Sequence, residues 1–212
     1  FMSYRSPHSF EGPIRDTLNY KDEDWPDIEK AHAAKITLLD HQIGRMINKL
    51  KELDELDNTL ILFTSDNGPH FANGGHNLEF FNSNGNLKGG KRDLYEGGIR
   101  VPLIAYWKNK IKSNSKTYHI SGFQDIMSTF AEIIGYKTQK GLDGISFLPT
   151  LISKDQPKHD YLNWEFQLSG WFQNLPSGGF RQSVRFDHWK AVRYNLNSDI
   201  ELYDLNEDEG ET

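Results

Sequence analysis

Apolar positions at Ile28, Ala31, Ala34, Leu38, Leu39, Ile43, Met46, Ile47 and Leu50 return every three or four residues, with charges between them. That spacing lays one apolar stripe along a helix and predicts a long amphipathic helix from about Asp27 to Leu53. Asp27 near its start suits the positive end of the helix dipole. "LDELDN" then turns the chain, and "TLILFTS" is a short apolar run rich in β-formers. "IRVPLIAYW" returns to strand. The stretch 121–135, "SGFQDIMSTFAEIIG", has helical spacing, with Ser121 as a cap and Gly135 as a stop. An amphipathic helix followed by a fully apolar strand is the rhythm of an α/β fold with a mixed sheet flanked by helices.

The pattern changes twice. Residues 66–98 are rich in glycine and asparagine and read as a long, backbone-permissive loop, a type of segment that is usually functional or disordered. Residues 13–26, with Pro13 and Pro26, read as a surface loop. From about residue 151, "DYLNWEFQL", "FRQSVRFDHWKAVRYN" and "IELYDL" are short, aromatic, partly alternating runs between turn residues. They predict a small antiparallel sheet. The expected organisation is a main α/β domain over 1–150 and a C-terminal subdomain over 151–212.

A chain of 212 residues with 36% hydrophobic and 13% aromatic residues has the composition of a globular protein. Its net charge of −6, without a long basic block, points away from nucleic acid. There is no cysteine, so disulfides and thiolate metal sites are excluded. No apolar run approaches the ~20 residues that span a bilayer. The beginning, "FMSYRSPHSF", and the end, "YDLNEDEGET", read as cuts through a longer protein.

Chemistry concentrates in the loop after "TLILFTS". Open α/β sheets bind ligands beyond the carboxyl ends of their strands. There "FTSDNGPH" places Asp66 beside Asn67, two hard oxygen donors suited to Ca²⁺ or Mg²⁺. An isolated Asp-Asn-Gly also makes an ordinary turn. In "LKGGKRDLYEGGIRVP", two glycine pairs stand among the cations Lys88, Lys91, Arg92 and Arg100, and glycine lets a backbone approach a ligand while a lysine offers a point charge to an oxyanion. The same segment also reads as a solvated charged loop, and it lacks the spacing of a phosphate-binding loop. His8, in "SYRSPH", is either a loop histidine or a general acid toward a leaving group.

Taken in order, "SYRSPH", "HAAKITLLDHQIGRMINKLKEL", "DNTLILFTSDNG" and "GGKRDLYEGGIRVPLIAYW" resemble the sulfatases, the formylglycine-dependent branch of the alkaline phosphatase superfamily. The resemblance continues through "FQDIMSTFAEIIG", "LDGISFLPTL", "YLNWEF" and "IELYDL", and covers roughly the second half of a sulfatase. It implies that Asp66 and Asn67 are metal ligands, most often for Ca²⁺. It implies that Lys91 contacts the sulfate ester and that His8 binds or protonates the leaving-group oxygen. His70 and His76 are then candidates to line the substrate pocket. Arg100 is expected in an internal ion pair, and Trp164 and Glu165 are considered for the substrate rim.

The resemblance has gaps. The nucleophile's C/S-x-P-S/A-R context is absent, as are the paired aspartates that complete the metal site and the lysine and histidine that flank the nucleophile. The expectation is therefore a sulfuric ester hydrolase, acting on sulfated carbohydrate or another sulfated small molecule, whose formylglycine lies in a missing N-terminal half. By this reading the chain alone is inactive, and the complete protein is periplasmic or secreted. A phosphatase or phosphodiesterase of the same superfamily is the second reading, although Asn67 in place of a histidine argues against a two-zinc site. A non-catalytic carbohydrate-binding relic is the third.

Overall fold

The computed structural model describes residues 1–8, 19–70, 76–137, 141–167 and 179–212. The loop expected over 13–26 is thus described only from residue 19 onward, where it runs as turns and bends. The chain divides into two compact units. One comprises 1–56, 65–101 and 208–212; the other comprises 57–64 and 102–207.

The first unit is organised by α1, Asp27–Glu52. Asp27 and Glu29 lie in its first turn and Lys49 and Lys51 in its last, each sign favoured by the helix dipole. Pro26 occupies the N-cap position, where its missing N–H costs nothing. Its most buried residues are Ala31, Ala34 and, unexpectedly, Glu29. The aromatic cluster Tyr20, Trp25, Phe80 and Phe81 belongs to the same unit, with Trp25 and Phe81 edge to face at 5.2 Å. A one-turn helix, α2, spans Glu96–Ile99. This corrects the strand expected from Ile99: strand begins only at Leu103, because 96–99 closes a helical turn and Pro102 has no N–H to give a ladder.

In the second unit, β1 (Ile61–Thr64) pairs antiparallel with β2 (Leu103–Tyr106), Ile61 opposite Tyr106. The helix expected over 121–135 is α3, Asp125–Ile133. Ser121 does not cap it. Gln124 is at the N-cap, and the buried Asp125 carboxylate instead accepts the N–H groups of Gly122 and Ile145, both at 2.8 Å. Asp125 also takes a 2.8 Å hydrogen bond from Nε2 of His159. Gly135 ends the helix with a φ of 69°, left-handed geometry that glycine adopts without strain. A short α4, Leu148–Leu151, packs on α3 through the buried Phe147, whose N–H is held by Thr129 Oγ1 at 3.0 Å.

The C-terminal runs form the antiparallel sheet that their alternation predicts. Its order is β3 (Leu162–Gln167), β4 (Phe180–Phe186), β5 (Trp189–Arg193) and β6 (Glu201–Asp204). Leu162, Ser183 and Val192 are buried, whereas Val184, Phe186 and Leu202 are exposed, so the period of two separates a covered face from an open one.

Candidate active site

Two segments of the first unit meet backbone to backbone. Gly68 N–H donates to Gly98 O at 2.9 Å, and Lys91 N–H donates to Pro69 O at 2.7 Å. A β-carbon on Gly68 would stand 1.8 Å from the Gly97 carbonyl oxygen, so no other residue permits this approach. Gly97 is equally confined, since its N–H reaches Lys88 O at 2.8 Å and an added β-carbon would lie 2.4 Å from Gly89 O. The "DNGPH" and "GGKRDLYEGG" motifs are therefore one structural object, although some twenty residues of chain separate them.

Each predicted residue can be located against this frame. Asp66 is exposed, and its carboxylate has no hydrogen bond or ion pair among the described residues. Asn67 is half-buried; its Nδ2 donates to Gly68 O at 2.9 Å, which leaves the side-chain carbonyl oxygen as an open acceptor. Ser65 Oγ donates to Asn67 O at 2.8 Å and steadies the turn from within. Lys91 is half-buried and its ammonium is unpaired among the described residues. The His8 ring lies 6.3 Å from that of His70, centre to centre, and Lys35 Nζ of α1 donates to His8 O at 3.2 Å. His8, His70, the Asp66–Asn67 turn and the Lys91 loop thus share one region.

A carboxylate and an amide oxygen, both unspent, fit a hard divalent cation and would supply two of the six or more oxygens such an ion takes. No group of three or more His, Cys, Asp or Glu side chains able to hold a metal exists among the described residues. The fit is therefore to part of a coordination shell.

His76 lies against α1. It is 4% exposed, stacked on His32 at 3.6 Å, with Nδ1 3.6 Å from Glu29 Oε2. Glu29 Oε1 accepts the N–H of Asn77 at 2.6 Å, so the start of the 76–81 segment is fastened to α1 by side chains. Burial first, then the charges of His76 and Lys35, push His32 down to about 4. Sequence reading did not single out Glu29 or His32; their spacing of three on one helix face was the available signal. Arg100 pairs with Glu209 at 2.5 Å and lies 3.8 Å from Glu96, the ion-pair role expected of it. In the other unit, Trp164 and Glu165 stand on β3.

Comparison with known proteins identifies the family of the chain. The family model described as Sulfatase matches residues 1–136, and that of N-sulphoglucosamine sulphohydrolase, C-terminal, matches 89–212. The chain is 30% identical to an N-acetylgalactosamine-6-O-sulfatase of Bacteroides thetaiotaomicron over 83% of its own length and 36% of the relative's. It is 31% identical to the uncharacterized sulfatase YdeN of Escherichia coli, covering 83% of the chain and 31% of that protein. The crystal structure of Ps i-CgsB in complex with k-i-k-neocarrahexaose superposes with a TM-score of 0.79 at 26% identity, over 98% of this chain and 43% of that one. The chain spans about a third of the length of the curated relatives it matches.

Proposed function

The chain belongs to the sulfatase family, and on that premise we propose that it contributes the metal, sulfate-binding and leaving-group side of a sulfuric ester hydrolase acting on sulfated carbohydrate. The observation that carries this reading is the pair of backbone hydrogen bonds, Gly68 to Gly98 and Lys91 to Pro69, that holds "DNG" against "GGK".

Within this reading each residue has one task. Asp66 and Asn67 present oxygens to a Ca²⁺ ion, which supplies positive charge against the sulfonyl oxygens when bound. Lys91 sets an unpaired ammonium where negative charge grows during ester cleavage, and its half-buried position strengthens that interaction relative to water. His8 holds the leaving oxygen and gives it a proton. His70 borders the substrate beside His8, while His76 contributes by fixing the loop to α1. The formylglycine nucleophile and the remaining metal ligands come from sequence outside these 212 residues, which contain neither cysteine nor a C/S-x-P-S/A-R motif. The carbohydrate assignment draws on the names of the relatives, among them sulfatases of N-acetylgalactosamine and N-acetylglucosamine. Release to the periplasm or beyond suits such substrates, and no helix among the described residues is long and apolar enough to cross a membrane.

The test is release of inorganic sulfate by the complete gene product from 6-sulfated N-acetylhexosamines, with the matching phosphate monoesters in parallel. Sulfate release that stops with a chelator and returns with Ca²⁺ is the expected result. Hydrolysis of the phosphate esters alone would move the assignment to a phosphatase, and Ca²⁺-dependent sugar binding without turnover would move it to a binding protein.

A further inference from the structure

The geometry points to Glu211 as a positioning residue for the Lys91 loop and the Asp66–Asn67 turn, acting through α2 from 115 residues away. The N-cap of α2 is Tyr95, whose side chain makes no capping hydrogen bond, so the first amides of this one-turn helix need partners from elsewhere. Glu211 provides the first. Its Oε2 accepts the N–H of Glu96 at 2.6 Å, and both residues are almost wholly buried, at 0% and 1% exposure. Two further backbone groups of α2 bond to the site segments. Gly97 N–H holds Lys88 O at 2.8 Å, and Gly98 O receives Gly68 N–H at 2.9 Å. Glu211 is thus one hydrogen bond from α2, and α2 is one hydrogen bond from each of the two functional segments.

The hook carrying Glu211 is built to hold it. Glu211 has a φ of 54°, left-handed geometry that costs a non-glycine residue of order 1 kcal/mol or more. Asp208 offsets that cost by accepting the N–H and hydroxyl of Thr212, with the amide at 2.9 Å. A β-carbon on Gly210 would come within 2.9 Å of Asn86 O, so the hook also packs closely on the segment leading to Lys88. A left-handed backbone and a buried carboxylate together make this hook a fitted part of the first unit.

This inference rests on the proposed hydrolase only for its kinetic readout. The experiment compares the complete protein with Glu211→Ala, Glu211→Asp and Glu211→Gln, by sulfate release and by amide hydrogen exchange. Glu211→Ala is expected to lower kcat at least tenfold and to speed exchange in 66–70 and 88–98, while α1 and β5 keep their protection. Glu211→Gln retains an acceptor oxygen at the same reach and is expected to recover most of both; Glu211→Asp, one methylene short, falls between. Wild-type exchange in 66–70 and 88–98 for the Ala variant would overturn the inference. So would protection lost equally in α1 and β5, which would make Glu211 a general stabiliser. If the unaltered protein releases no sulfate, the functional reading fails, and the exchange pattern still decides the role of Glu211.

Discussion

The two loop segments of the first unit are fastened by different means. The 66–70 turn is pinned to 88–98 by main-chain hydrogen bonds across glycines. The 76–81 segment begins on α1 through side chains: Glu29 accepts an amide and His76 stacks on His32. Backbone pinning is independent of pH and intolerant of any added atom. Side-chain pinning tolerates substitution better but carries the titratable groups Glu29, His32 and His76 into buried or half-buried positions. Under the proposed function, the first suits residues that would hold a cation and a sulfate ester within tenths of an ångström; the second suits a border that adjusts.

The strongest way to break this comparison is Gly68→Ala. With 1.8 Å available to the new methyl, the two segments must separate, at an expected cost of about 3 kcal/mol or more in denaturant unfolding and near-complete loss of turnover. A stable, active variant would mean that the close approach is not needed. Next in size is Asp66→Ala. Removing the one carboxylate of the pair is expected to raise the Ca²⁺ concentration for half-maximal activity by about 100-fold, with unfolding stability unchanged because Asp66 is exposed and unpaired among the described residues. An unchanged Ca²⁺ response would remove it from the metal site.

A smaller effect should separate the two fastenings by pH. The His32 pKa is about 4 in the folded chain against 6.5 for a free histidine, so the opened state binds more protons throughout that interval. The contact is at full strength above pH 6.5 and weakens as the pH falls toward 4. Protonation there adds a charge beside His76 and Lys35. Exchange of the 76–81 amides, corrected for the intrinsic pH effect, should rise about three- to tenfold from pH 7 to pH 5, with 88–98 unaffected. His32→Gln should flatten the response, and parallel behaviour of both segments would contradict it. The smallest effect is expected from Arg100→Ala. Its pair with Glu209 is half-exposed, and unfolding should change by less than about 1 kcal/mol.

What the sequence disclosed follows the range of its signals. The 3.6-residue stripe of α1 and the alternation in β3–β6 are local, and both elements are where the pattern put them. Asp66 and Asn67 were singled out because hard-oxygen residues beside a glycine are unusual neighbours after a strand, and Lys91 because glycine pairs bracket it. The turn of α2 was missed, with 96–98 read as loop and Ile99 as strand, since "EGGIRVP" carries β-branched residues and two poor helix formers. The turn there is held by Lys88, Gly68 and Glu211, the last from 115 residues away. The placing of the 76–81 segment depends on Glu29 in the same way, and no spacing rule links Glu29 to Asn77, 48 positions on.

The central claim is that His8 and Lys91 act on one sulfate ester. Sulfate-release kinetics of the complete protein, His8→Ala, Lys91→Ala and the double variant test it most directly. Each single change should reduce kcat by about 10²–10³-fold, and the double variant should fall well short of the product of the two, as groups acting in one step do. Losses that multiply fully, or either variant retaining wild-type turnover, would contradict a shared site.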